Sequence, residues 1–567
     1  MKKLPVSMSS FRELVEKDLV YADKTRSVHE MVTGGKFNFL ARPRRFGKTL
    51  LLSAVEALFG EPPPPLYPGY PPRKGPRELF SGLWIGSSGY EYETHPVVSV
   101  SMARASSSPE TLKLDIVEYL AHIASGHGLD MDASRPGAAL ASLVKGLRQK
   151  FGRQVVLLID EYDAPASVNF DRPLLAEGNR SVLRDFYAGV MDSDEHLRLV
   201  LLIGVTSLAM SGLAPALSGI EDLTLDPRFS GSCGFTAGDL DGNFGEHMAD
   251  ALRTMTERGG MPAGSTADDL RELILDWYGG YSWDGTTRVM NPCSTVQLFD
   301  QATFSDYWNP ASCFGPALGD VSDGDLLSLV NDGFRDLPKR ALCPDGKGAA
   351  GPAPALFQSG YLTVDEVSPG PDGPLYTLRI PNREVWLIRD GSFSRLLYSL
   401  LGRSPQDVSR ELKGALRRLD SGALTGLFAS FFGSFPAGRL RDDESCYRNI
   451  ARGFLGGLHT PKVMPLSHGA AGAPGLAVFY PDERLYAAVE IRCPGDWQAD
   501  GKEDLDGKVR LSLAREAVRA AGEKEHVLPF AAQVDRVVIV GLGVVWSGRC
   551  LALAEEGDPA RIRPAGA

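Results

Sequence analysis

Phe39-Leu40-Ala41-Arg42-Pro43-Arg44-Arg45-Phe46-Gly47-Lys48-Thr49, followed by the helix-like run Leu50 to Phe59, decides how this chain is read. A phosphate-binding loop needs backbone N–H groups, a lysine for the β/γ-phosphates and a hydroxyl for Mg²⁺, all at a helix N-terminus whose dipole favours anions. Gly47, Lys48 and Thr49 supply these parts, with Arg45 as an added cation beside the phosphates. Further along, Val155-Val156-Leu157-Leu158-Ile159-Asp160-Glu161 reads as a buried parallel strand ending in two carboxylates. Asp160 is the candidate for the metal shell, together with Thr49, and Glu161 the candidate for orienting a hydrolytic water. The two motifs together predict a nucleoside triphosphatase using Mg²⁺.

The loop is not the standard one. In the pattern G-x-x-x-x-G-K-[ST] the opening glycine falls at Arg42, and Pro43, Arg44 and Arg45 fill the loop. A bulky cationic loop can hold a triphosphate through charge, but its backbone has less freedom to wrap the phosphates. Nucleotide binding with slow turnover is the expectation.

The composition sets outer bounds. With 567 residues the chain is long enough for several domains, each with its own core. Hydrophobic content of 43% and charged content of 23% are those of an ordinary globular protein. A formal net charge of -11 argues against generic nucleic-acid coating and leaves a local basic groove open. The 7 cysteines are scattered without a C-x-x-C pair, which suits a reducing cytoplasm better than a disulfide scaffold. The N-terminus has no apolar segment of the signal-peptide kind before Arg12 and Glu13, so a cytoplasmic location is expected. Leu199 to Ile220 carries no charge, but Gly204, Pro215 and several serines interrupt it. A buried strand leading into a polar loop accounts for it better than a membrane span.

Strand signals at Lys36 to Ala41, Pro96 to Met102, Val155 to Asp160 and Leu197 to Thr206 alternate with helix-like segments at Pro109 to Ala124 and Ala138 to Phe151. This alternation predicts an α/β fold, a mainly parallel sheet with helices on both faces and ligands at the carboxyl ends of the strands. Residues 1–235 form the expected phosphate-loop domain, and residues 236–340 a helical region, with Asp268 to Tyr278 and Leu326 to Phe334 periodic in apolar residues. Residues 341–383 read as a linker and small strand unit, and residues 384–560 as a second α/β domain. Glu61 to Pro76, rich in proline, reads as an extended surface insertion.

Several separated segments carry a family resemblance. Beside the loop and Leu158-Ile159-Asp160-Glu161-Tyr162-Asp163, these are Tyr21-Ala22-Asp23-Lys24-Thr25, Cys233-Gly234-Phe235-Thr236, Trp277-Tyr278-Gly279-Gly280-Tyr281, Asn291-Pro292-Cys293-Ser294, Gly360-Tyr361-Leu362-Thr363 and Ile380-Pro381-Asn382-Arg383-Glu384-Val385. With them the chain resembles bacterial and archaeal proteins that join an AAA-ATPase-like domain to a C-terminal domain of the PD-(D/E)xK nuclease superfamily, with a restriction-endonuclease-like α/β fold. The resemblance implies that Lys48 and Thr49 hold phosphates and Mg²⁺ and that Thr206 occupies a sensor position. Arg228 is a candidate arginine finger, but a plain surface arginine is the preferred reading. Ser207 stands where the family often has a basic residue.

The nuclease motif is altered. Gly475 stands where the resemblance places the first Asp, and Leu485 to Arg492 keeps Glu490 but has Arg492 in place of lysine. A guanidinium does not readily lose a proton, and without the Asp a hard cation loses part of its carboxylate shell. Glu490 and Arg492 are therefore read as a remnant, with Asp482, Glu483 and Asp496 as substitutes to be tested against geometry. The leading expectation is an ATP-binding protein, a slow Mg²⁺-dependent ATPase coupled to a degenerate nuclease-like module. An ATP-gated DNA nuclease and a non-enzymatic nucleotide-dependent scaffold are the alternatives. DNA, a protein partner and a second copy of the chain are the candidate partners beside the nucleotide, and no membrane is expected.

Overall fold

Four short apolar strands and an acidic two-residue edge strand form the first sheet: β1 (Phe37–Ala41), β2 (Val97–Ser101), β3 (Val155–Asp160), β4 (Leu197–Gly204) and β5 (Glu221–Asp222). They lie in the order β2-β3-β4-β1-β5, and every pairing is parallel. Because side chains alternate along a strand, each face needs its own cover. Leu40, Val156, Leu158, Leu199 and Leu201 pack under the helix Lys48–Phe59, while Phe39, Val155, Leu157, Ile159 and Leu202 pack on the other face against Pro109–Gly126, Pro136–Phe151 and Pro173–Asp192. The computed structural model describes residues 1–62, 73–104, 108–167, 172–207, 211–217, 219–258, 261, 264–308, 334–342, 353–385, 403–433, 444–456, 458, 462–465, 475–493, 503–523, 526–527, 534–545 and 549–563.

The expected strands are present with ends shifted by one or two residues. The uncharged stretch from Leu199 forms most of β4, and no helix among the described residues is long and apolar enough to cross a membrane. The periodic segment Leu326 to Phe334 lies almost wholly outside the described residues, and so does most of the proline-rich insertion. The other middle segments are helical: Ala237–Asn243, Gly245–Glu257, Ala267–Tyr278 and Pro292–Gln301, around a core of Leu240, Phe244, Leu270, Ile274 and Leu298. Thr236 and Thr266 cap two of these helices, each paired with an aspartate three residues on, in a reciprocal capping box.

A small antiparallel sheet follows, β6 (Phe334–Pro338), β7 (Thr363–Gly370) and β8 (Gly373–Arg379), in the order β6-β8-β7. Val364, Tyr376, Leu378 and Ile380 from this unit share one apolar core with Phe46 of the loop and the helix Lys48–Phe59. This unit is thus joined to the first sheet by packing as well as by the chain.

The C-terminal residues build a separate mixed sheet. Strands β9 (Lys462–Pro465), β10 (Leu476–Tyr480) and β11 (Leu485–Arg492) are antiparallel neighbours. After a two-residue strand β12 (His526–Val527) come β13 (Arg536–Val545) and β14 (Arg549–Glu556), and β12 pairs with β15 (Ile562–Arg563). The five-stranded order is β14-β13-β11-β10-β9. Parallel pairing of β11 with β13 requires a crossover, which the helix Glu503–Glu523 supplies. Pro405–Arg418, Ser421–Phe432 and Glu444–Gly456 cover the opposite face.

Gly360, just before β7, has a left-handed backbone (φ 90°), and a Cβ there would lie 2.8 Å from Pro43 Cβ and 3.0 Å from the Trp308 ring. Gly360→Ala is expected to destabilise the chain by about 1–3 kcal/mol, read as a lower urea midpoint at unchanged slope. An unchanged midpoint would mean that the loop gives way freely at Pro43.

Candidate functional site

β1 ends at Ala41, and the chain turns through Arg42 to Phe46 into the helix Lys48–Phe59. Gly47 caps that helix with a left-handed backbone (φ 87°), and Arg45 is left-handed as well (φ 64°), an unusual conformation for a residue with a Cβ. The Lys48 ammonium is buried and donates to the Pro43 carbonyl at 2.9 Å. Burial lowers its pKa, opposed by the nearby Cys233, Asp160 and Glu161. Thr49 Oγ1 donates to Asp160 Oδ2 at 2.7 Å, which joins the loop to the end of β3 across the intervening β4. Asp160 is buried, and its Oδ1 has no hydrogen-bond partner among the described residues.

Glu161 follows in a left-handed conformation (φ 48°), a strained backbone of the kind that concentrates at functional sites. Burial raises its carboxyl, Arg44 pulls it down most strongly, and Asp160 pushes it up again. Thr206 lies at the end of β4, but its hydroxyl and its N–H both donate to Asp163 Oδ2, the N–H at 3.2 Å. Tyr162 Oη donates to the Thr206 carbonyl at 3.0 Å. The expected sensor threonine is therefore engaged by the last acid of Asp160-Glu161-Tyr162-Asp163. The Ser207 N–H donates to Gln358 Oε1 at 2.8 Å, and Gln358 in turn donates to the Leu342 carbonyl at 2.9 Å.

A cavity of about 530 Å³ opens at the helix N-terminus. Arg44, Arg45, Gly47, Lys48, Thr49 and Glu161 line one part of it. The rest is formed by Met8, Val20 and Ala22 of the N-terminal segment, by Ser232 to Phe235, and by Pro292, Val296 and Gln297. The N-terminal wall is fastened from several directions: the Phe11 N–H donates to Ser53 Oγ at 2.8 Å, Lys24 pairs with Asp239 at 2.6 Å, and Asp23 accepts from Thr25 and from the Trp84 N–H. On the other side the Gly234 N–H donates to the Phe46 carbonyl at 3.1 Å. A concave site with apolar walls and a cationic end suits a nucleotide. Thr49, the partnerless Asp160 oxygen and Glu161 suit a hard cation that takes oxygen ligands and shares substrate phosphates. No group of three or more His, Cys, Asp or Glu side chains among the described residues is arranged to hold a metal unaided.

The residue at the missing glycine has a role that the sequence did not disclose. Arg42 is buried, and its guanidinium donates to the carbonyls of Ala41 (2.7 Å), Thr224 (2.9 Å) and Phe229 (2.8 Å). It also stacks on Trp283 at 4.0 Å from the ring centroid. Burial lowers its pKa to about 10, so it stays charged at neutral pH. Arg45 points to the wall, where Nη1 donates to the Tyr307 carbonyl at 3.2 Å. Arg228, the candidate arginine finger, is exposed and pairs with Asp226 and, at 3.3 Å, with Glu221; it does not line the cavity.

In the C-terminal sheet Glu490 is fully buried near the end of β11. Arg492 Nη1 lies 3.1 Å from Glu490 and 3.1 Å from Glu444, with Glu516 at 4.0 Å from Nε. Asp482 and Glu483 do not converge on this cluster. They occupy the turn at the opposite end of the β10–β11 hairpin, roughly 17 Å along the strand from Glu490. There Glu483 pairs with Lys413 at 3.0 Å and Arg417 at 3.4 Å. Asp496 lies outside the described residues.

Residues 5–214 match a family model described as predicted AAA-ATPase. A protein of Azotobacter chroococcum mcd 1, described as an uncharacterized protein in the vnfD 5' region, is 30% identical over 454 residues, 77% of this chain and 78% of that protein.

Replacing Arg42 by the glycine of the standard motif leaves three buried carbonyls without their donor. Arg42→Gly is expected to cost at least about 2 kcal/mol in chemical denaturation. An unaltered stability would show that water satisfies those carbonyls equally well.

Proposed function

The chain belongs to a family of proteins with a predicted AAA-ATPase-like domain, and from that premise we propose that it binds ATP with Mg²⁺ at the Lys48 loop and hydrolyses it slowly. The observation that carries the reading is the Thr49–Asp160 hydrogen bond, which brings a helix-N-terminal hydroxyl and a strand-end carboxylate into one site beside a buried lysine. Lys48 and the N–H groups of the first helical turn attract the β- and γ-phosphates. Thr49 and Asp160 hold the cation, which supplies neutralisation of phosphate charge when bound. Glu161 orients a water for in-line attack on the γ-phosphorus and takes up its proton as the bond to ADP breaks. Met8, Val20, Ala22 and Val296 are the apolar lining offered to the nucleotide's base.

Slow turnover is supported by the engagement of Thr206 with Asp163 and by the serine that follows it. The cytoplasm is the proposed location, since Cys233, Cys293, Cys493 and Cys550 are all free thiols.

For the C-terminal module we propose a nuclease-like fold without strong cleavage activity. The helix before β9, the β10–β11 hairpin and the helical crossover to β13 favour the fold. The Arg492 ion pairs with Glu490 and Glu444 argue against cleavage, because the guanidinium occupies the carboxylates that a metal would need.

The test is Mg²⁺-dependent phosphate release with ATP binding measured in parallel, with and without duplex DNA. Lys48→Ala is expected to lose binding. Glu161→Gln is expected to bind normally and turn over about a hundred-fold more slowly. A Glu161→Gln variant as fast as wild type would refute the role of Glu161, and binding without any wild-type turnover would leave a nucleotide-dependent scaffold. DNA cleavage by wild type that disappears in Glu490→Gln would reinstate the ATP-gated nuclease.

A further inference from the structure

Glu384 is a fully buried carboxylate that nucleotide chemistry does not call for. Ser294 Oγ lies 2.8 and 2.9 Å from its two oxygens, and the Trp308 N–H donates to Oε1 at 2.8 Å. Among the described residues no lysine or arginine is paired with it. The other ionisable groups that act on it or feel its charge are Asp306 and the phenols of Tyr278, Tyr281 and Tyr307. A buried carboxylate without a cation is costly unless its hydrogen bonds compensate, and here those bonds all converge on two pieces of chain. One is the first turn of the helix Pro292–Gln301, whose dipole favours a negative charge. The other is the dipeptide Tyr307-Trp308.

That dipeptide is the surface against which the phosphate loop is shaped. Trp308 Nε1 donates to the Arg44 carbonyl at 3.2 Å, and the Tyr307 carbonyl accepts from Arg45 at 3.2 Å. Gly360 packs on Pro43 and on the Trp308 ring together. Three consecutive loop residues, Pro43, Arg44 and Arg45, thus meet one bracket. A loop of proline and two arginines has none of the backbone freedom that glycine would give it, so its form must be imposed from outside.

We propose that Glu384 is a positioning residue for the phosphate loop: by holding Trp308 it fixes the backbone of Arg44 and the direction of Arg45, and so sets affinity for the triphosphate. The inference rests on the nucleotide reading above. Burial pushes the Glu384 carboxyl up to about 7, so a neutral amide of the same shape should hold Trp308 nearly as well.

The experiment is calorimetric binding of ATP and of AMP, with Mg²⁺, to the full chain and to Glu384→Ala, Glu384→Gln and Trp308→Phe, each checked by its unfolding temperature. Glu384→Ala and Trp308→Phe are expected to weaken ATP about tenfold while AMP stays within about twofold, because the loss falls on the phosphates that the loop grips. Glu384→Gln should recover most of the ATP affinity. Should Glu384→Ala fail to fold, Trp308→Phe alone decides, since it removes the indole N–H and keeps an aromatic ring in place. Equal losses for ATP and AMP, or no loss in either variant, would overturn the proposal. A wild type that binds ATP no better than Lys48→Ala would remove the nucleotide reading and this one with it.

Discussion

The guanidinium of Arg42 is the fastening on which the site depends. It lies where β1 leaves the sheet, and its three donated hydrogen bonds tie that strand end to Thr224 and Phe229 in the segment after β5. A charged donor to a carbonyl contributes roughly 1.5–3 kcal/mol per bond, enough in sum to offset burial of a cation that also stacks on an aromatic ring. Trp283 and Phe46 meet edge to face beneath it, and Phe46 reaches Tyr281 at 4.7 Å. The loop is therefore held from below by a cation and aromatics, where the standard motif would depend on glycine.

This way of building a phosphate loop has an electrostatic consequence. The Arg42 Nη groups are engaged by carbonyls, which leaves Lys48, Arg44, Arg45 and the Asp239-paired Lys24 as the cations lining the cavity, against Glu161 and, in the layer beneath, Asp160 and Asp163. Lys48 donates to a loop carbonyl and Arg45 to a wall carbonyl. Both bonds are to neutral acceptors and are therefore weaker than charge-assisted ones. The acidic side is arranged differently: Asp163 is fixed by Thr206, Asp160 is half satisfied by Thr49, and Glu161 keeps a carboxyl raised by burial. The site thus offers one cationic half held by neutral acceptors and one graded acidic half.

Much of this could be read in the sequence, and the parts that could not have a common reason. The strands of the first sheet, its helices, and the meeting of Lys48, Thr49, Asp160 and Glu161 follow from local patterns: apolar runs, a Gly-Lys-Thr helix start, carboxylates at a strand end. Arg42 was legible only as a departure, because a buried arginine and an exposed one have the same letter and only the carbonyls of residues far along the chain tell them apart. Glu384, Trp308 and Gln358 act across separations of 76 to 264 residues, and no spacing rule spans such distances. The expectation for residues 341–383 as a linker and strand unit caught the hairpin β7–β8 but carried no hint that Gln358 and Gly360 reach the ends of β4 and the loop. Thr206 follows the end of β4, where strand order put it, but its bonds to Asp163 show that a polar residue at a strand end can as easily brace the site as face the ligand.

The C-terminal cluster carries the same lesson in electrostatic form. Glu490, Glu444 and Glu516 gather around Arg492, three carboxylates about one guanidinium. Had a lysine stood at this position, its single compact charge on a flexible stem could withdraw toward solvent and leave the carboxylates to a cation. The arginine instead places Nη1 within 3.1 Å of both Glu490 and Glu444, and because Glu490 is fully buried, removing that guanidinium would strand a charge in the core. Arg492 thus ties the buried end of β11 to Glu444 in the helix Glu444–Gly456, and the cluster acts as a brace between the C-terminal sheet and the helices that cover it.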